Sequence, residues 1–156
     1  MFLFGADRTP TAKIRVGLWE IQGRRCFYCD ARLAEPVRGH VDHFVPWSRY
    51  SDDTLDNFVV ADKSCNGFKS NSLAAADHLN RWTRRFAEGS SEHAQLSDLA
   101  CQATWDRQAD RSLNVARAIY LRLPNDARLW LRGKEFIPPD ATMIGTALAA
   151  SPRPVE

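Results

Sequence analysis

The chain has 156 residues, about the length of one ordinary domain. With 44% hydrophobic and 26% charged residues it has the balance of a soluble folded domain, which argues against wholesale disorder, a collagen-like repeat or a coiled-coil rod. A net charge of +2 excludes a polybasic tail protein, and no run approaches the roughly 18 apolar residues of a membrane span. Residues 1–8 lack the charged, long-apolar, small-residue order of a secretory signal, so no membrane partner and a cytoplasmic location are expected.

In chain order, Thr9-Pro10-Thr11 marks a helix start. Ile14, Leu18 and Ile21 follow at helical spacing, and Gly23 marks the stop. Arg25 to Leu33 is short and holds Cys26 and Cys29, which fits a tight hairpin or zinc knuckle. Val41 to Val45 reads as a strand ended by Pro46. Ser51 to Asp56 is an acidic loop, Asn57 to Ala61 a short apolar run, and Asp62 to Ser70 a short helix. Ala75, Leu79, Trp82 and Phe86 line one helical face, and Ala109, Leu113, Ala116, Tyr120 and Leu123 line another. Leu129 to Ile137, with Arg132-Gly133 at its centre, predicts a small hairpin. Pro138-Pro139 then breaks the chain before a last helix and a frayed end. Trp47 and Trp82 are expected in the core. The fold class expected is α+β, as a single domain over 1–156: a catalytic core at 26–70, a helical extension at 71–125, and a hairpin and tail at 126–156.

The informative span is 26–69, which orders its polar groups as Cys26, Cys29, His40, Asp42, His43, Asn57, Cys65, Asn66 and Lys69. Phosphodiester hydrolysis needs a base to deprotonate water, and a neutral imidazole serves near pH 7. It also needs a hard cation to stabilise charge on the phosphoryl and leaving oxygens. Mg²⁺ keeps several waters, so one carboxylate and one amide oxygen suffice to hold it. Asp42, His43 and Asn66 are these three side-chain types.

The run Val41-Asp42-His43-Phe44-Val45-Pro46, then Asp56-Asn57-Phe58, then Cys65-Asn66-Gly67-Phe68-Lys69 resembles the HNH endonuclease family, and also the HNH domain of the CRISPR effector nucleases. The resemblance implies a ββα-metal core, two strands and a helix around one ion. It makes His43 the general base, Asp42 and Asn66 the ligands of Mg²⁺ or Mn²⁺, and Asn57 the residue holding His43 or its loop. Lys69 would face phosphate, in an HNN variant of the motif. In a regular strand Asp42 and His43 point to opposite faces, so both serve one site only if the strand bends or ends there. His40 shares the face of Asp42 and is a candidate extra ligand.

Many family members carry a second Cys-x-x-Cys for structural zinc. Here Cys65 fills its later position and Asp62 its earlier one. Three arrangements are open: a Cys3Asp zinc site of Cys26, Cys29, Cys65 and Asp62; a site completed by Cys101; or no zinc, with the cysteines packed as small hydrophobes. Arg81, Arg84 and Arg85 share a polar side of their helix. Arg81 and Arg85, with Lys69, are candidate DNA contacts. The expected function is metal-dependent cleavage of DNA, with no reader motif to specify a sequence. The alternatives are a non-catalytic zinc-stapled nucleic-acid-binding module and an RNA-cleaving toxin. Double-strand cutting by one small site implies a homodimer or a larger defence or restriction complex.

Overall fold

A computed structural model describes residues 10–149. The element order is α1 (Pro10–Ile21), β1 (His40–His43), β2 (Phe58–Ala61), α2 (Lys63–Lys69), α3 (Ala76–Arg84), α4 (Ser91–Ala103), α5 (Ala109–Tyr120), β3 (Leu129–Arg132), β4 (Glu135–Ile137) and α6 (Ala141–Ala149). The fold class is α+β, as the sequence predicts. The signal at Thr9 and the tail at 150–156 lie outside the described residues.

β1 and β2 form an antiparallel ribbon that pairs Asp42 with Val59 and His43 with Phe58. α2 follows directly, capped by the Asp62 carboxylate, which accepts the Cys65 amide at 2.7 Å. This ββα unit joins the 26–33 turn, closed by a bridge between Arg25 and Arg32, at one end. The β3–β4 hairpin docks on the segment after α2, where Trp130 accepts from Ala75 and donates to Leu73 through the backbone.

The helices cover the ribbon from two sides. Phe44, Trp82, Phe86, Leu113 and Trp130 belong to one buried cluster, and Ile14, Leu18, Leu55, Leu96 and Leu99 to another. Trp82 stacks on Phe44 with centroids 4.7 Å apart and donates its indole N–H to the Asp56 carbonyl at 3.0 Å. α1 and α4 cross closely at Gly17, where an added Cβ would collide with the Leu99 side chain. α4, which no clear apolar stripe announced, is held by a Ser90 cap on the His93 amide.

Trp47 departs from the expected core position. It is 49% exposed, because the turn after Pro46 carries it out over the ribbon. Among the described residues no helix is long and apolar enough to cross a membrane.

Candidate active site and metal centre

β1 ends at His43, and its alternation separates the two central side chains. Asp42 turns inward. Its Oδ2 accepts the Tyr28 hydroxyl at 2.6 Å and faces Lys69 Nζ at 3.1 Å, while Oδ1 takes no hydrogen bond among the described residues. His43 turns the other way and packs on the rings of Trp47 and Phe58 at 5.4 and 5.0 Å. Its Nε2 meets Asp53 Oδ1 at 2.7 Å, and Nδ1 takes no hydrogen bond among the described residues.

Lys69 corrects the expectation of an outward-facing lysine. Its side chain is fully buried, and besides Asp42 it donates to the His43 carbonyl at 3.0 Å. One ammonium thus bridges α2 to the end of β1. Burial pulls its pKa down, and the adjacent Asp42 charge opposes that pull. The same burial pushes the Tyr28 phenol well above its ordinary value, with Asp42 adding to the effect. Tyr28 is therefore a donor to Asp42 throughout the neutral range.

Asn57 is fully buried and clamps the loop after His43. Its Oδ1 accepts the Val45 amide at 2.8 Å and its Nδ2 donates to the Val45 carbonyl at 2.9 Å. Asn66 lies half-buried on α2, and its carboxamide has no hydrogen bond among the described residues. His40 is exposed at the far end of β1, opposite Ala61.

Four side chains predicted as a possible ligand set do converge. Cys26, Cys29, Asp62 and Cys65 bring their ligand atoms within 4.8 Å of one another and could hold a metal ion. The Cys29 thiol donates to Asp62 Oδ2 at 2.9 Å, and the Asp62 amide donates to Cys26 Sγ at 3.3 Å. The bond from the Cys65 thiol draws the Cys26 pKa down to about 6, whereas burial and Asp62 push Cys29 up to about 11. Cys101 is exposed on α4 and stands outside this group, so the option of Cys101 as fourth ligand falls.

Arg81 and Arg85 correct a second expectation, since neither lines a polar face. Arg81 lies over the Phe27 ring, donates to the Phe27 and Tyr28 carbonyls at 3.3 Å, and bonds the His78 ring. Arg85 is buried and donates to the Phe58 carbonyl at 2.9 Å. Each turns a guanidinium nitrogen to backbone carbonyls, Arg85 to the ribbon and the half-buried Arg81 to the 26–33 turn. Arg84 alone of the three is exposed.

Asp53 escaped sequence reasoning, which read 51–56 only as an acidic loop. The available signal was a carboxylate on the loop that closes the ribbon, within reach of the strand end. The loop owes its shape to residues far along the chain. Trp105 donates to the Asp53 carbonyl at 2.6 Å, the Leu55 amide donates to the Asp106 carbonyl at 2.9 Å, and Arg107 pairs with the fully buried Asp56 at 2.6 Å.

Residues 26–75 match the model of a family described as HNH endonuclease. Over this stretch the chain is similar to the HNH endonuclease family. The HNH segment thus contains the ribbon, α2, the four-residue ligand group and every predicted catalytic position. Among solved structures, the crystal structure of the Type II-C Cas9 enzyme from Actinomyces naeslundii is similar at 22% identity and a TM-score of 0.42. That similarity covers 61% of this chain and 11% of that one. No curated protein matches.

Proposed function

We propose that the protein is a metal-dependent endonuclease that hydrolyses DNA phosphodiester bonds through the HNH segment. The observation that carries this reading is the end of β1. There a histidine and a carboxylate stand on adjacent residues, each with one atom that takes no hydrogen bond among the described residues, braced by Asn57 and Lys69.

The chemistry of the donors suits a hard cation: among the described residues Asp42 Oδ1 and the Asn66 carboxamide take no hydrogen bond, and both oxygens are of the kind Mg²⁺ or Mn²⁺ takes. When bound there, such an ion would stabilise negative charge on the phosphoryl and leaving oxygens. His43 takes the proton of the attacking water at Nδ1. Asp53 on Nε2 fixes the ring and favours the tautomer with its proton on that side. Lys69 balances the buried Asp42 charge and keeps the strand end in register with α2. His40, exposed at the start of β1, is assigned no role in this scheme.

The test is nicking of supercoiled plasmid by the purified chain. Cleavage is expected with Mg²⁺ or Mn²⁺ and none with EDTA, while a parallel RNA substrate stays intact. Metal-independent cutting, or cutting of RNA alone, would overturn the reading.

The Cys3Asp group is the second metal site we propose, and zinc is its occupant. Thiolate ligands select zinc over magnesium, and Zn–S bonds of about 2.3 Å place tetrahedral donors about 3.8 Å apart, compatible with the observed cluster. The site would be structural, since it has four protein donors and no open position. Purified protein is expected to carry one zinc per chain by elemental analysis, and Cys26→Ser with Cys29→Ser to carry none and melt lower. A zinc-free wild-type chain with an unchanged melting temperature after chelation would exclude it.

A further inference from the structure

Besides the candidate site, the surface holds a basic cleft of about 560 Å³ between the turn after β1, the segment after α2 and the end of α5. Arg49, Arg122 and Arg128 line it together with Asn71 and Ser72, and no lining residue is acidic. All three arginines are exposed and none has an ion pair among the described residues, although Arg128 donates to the neighbouring Ala127 carbonyl. Some exposed arginines elsewhere are paired, Arg24 with Glu20, Arg111 with Asp52 and Arg132 with Glu135, and others such as Arg38 and Arg84 have no ion pair among the described residues; the cleft brings three of the unpaired kind together. Leu73, Ile119 and Leu129 form an apolar floor on which arginine stems can lie while their heads stay in water.

The cleft adjoins the candidate active site along the chain on two sides. Arg49 sits in the turn whose Trp47 packs on the His43 ring. Asn71 and Ser72 follow directly on α2, which bears Asn66 and Lys69. Three guanidiniums without ion pairs among the described residues, two short polar side chains and no acid make a surface suited to a row of phosphates. Each guanidinium offers a planar fork matched to phosphate oxygens.

We infer that this cleft binds the sugar–phosphate backbone of duplex DNA and leads it to His43. The inference rests on the nuclease reading for the identity of the polymer. Lys69, Arg81 and Arg85 turn inward, whereas these three arginines face solvent and can reach phosphate. Such contacts are to backbone, so they supply affinity without sequence preference.

The experiment measures duplex binding by the His43→Ala chain, which cannot turn the substrate over, across a series of salt concentrations without chelator. One variant adds Arg49→Gln, Arg122→Gln and Arg128→Gln. A second adds Lys13→Gln, Arg24→Gln and Arg132→Gln, which removes the same charge outside the cleft. The cleft variant is expected to bind about ten- to a hundredfold more weakly. Its plot of log affinity against log salt should flatten by about three, near 0.9 for each phosphate that is no longer neutralised. The second variant should keep both values close to the parent's. Equal weakening in the two variants, no weakening in either, or binding of single-stranded RNA but not duplex DNA would each overturn the inference. Plasmid cutting is scored separately on the wild-type background. A chain that binds through the cleft but cuts nothing sinks only the catalytic reading, and one that cuts without needing the cleft sinks only this one.

Discussion

His43→Ala is expected to lower plasmid cleavage by roughly 10²- to 10⁴-fold, the range that general-base catalysis supplies. The loss should fall on the rate at saturating metal, and duplex affinity should stay near the parent's. His43 ends β1 with a ring nitrogen free of hydrogen bonds among the described residues, and no helix or strand packing depends on its charge. Asp53→Asn is the companion variant. It keeps a side chain of the same size against Nε2 but removes the charge that favours one tautomer. A smaller fall with a displaced pH–rate profile is expected. Wild-type rates in His43→Ala would remove the imidazole from the chemistry, and an unaltered profile in Asp53→Asn would reduce Asp53 to a surface contact.

Asp56→Ala is expected to produce the largest loss of stability, about 3–5 kcal/mol, the range for removing one partner of a buried ion pair. Asp56 is fully buried, accepts two bonds from Arg107, and takes the Gln108 amide at 2.6 Å. Its charge also offsets Arg85, whose pKa burial pulls down to about 10 and whose Nε and Nη2 have no hydrogen-bond partner among the described residues. Removing the carboxylate takes the charge partner from Arg107, the nearby offset from the buried Arg85, and the acceptor from the Gln108 amide. Urea unfolding should show a lower midpoint with an unchanged slope, whereas Asp98→Ala on the exposed face of α4 should stay within about 0.5 kcal/mol of the parent. A loss under about 1 kcal/mol for Asp56→Ala would show that the 104–108 segment does not anchor the loop.

The ribbon, α2 and the ligand group were legible because short-range rules govern them. The short apolar run at 57–61 is consistent with the buried strand 58–61, Asp62 is a good cap, and Cys-x-x-Cys brings two thiols to one turn. The expected conflict between Asp42 and His43 was legible too, since it follows from strand alternation alone. The fate of the cations was not. Lys69, Arg81 and Arg85 read as outward-facing candidates for DNA contact, yet each ends on carbonyls or a carboxylate of a segment far away in sequence. Periodicity says which face of a helix is apolar, but not that the opposite face will also be covered. The Asp53–His43 contact was hidden for a related reason. It depends on a loop shape imposed by Trp105 and Arg107, some fifty positions downstream.

Tyr28 lies between Cys26 and Cys29 in the same tight turn, and its hydroxyl reaches Asp42. The backbone that brings two thiols into the four-residue ligand group therefore also aims a phenol at the carboxylate proposed to hold the catalytic ion. Slackening that turn, by oxidation of the thiols or by stripping them of metal, would let the phenol drift and leave Asp42 held by Lys69 alone. On the proposed reading, the ligand group and the end of β1 are coupled through a single ring, and loss of the first is expected to lower activity at the second.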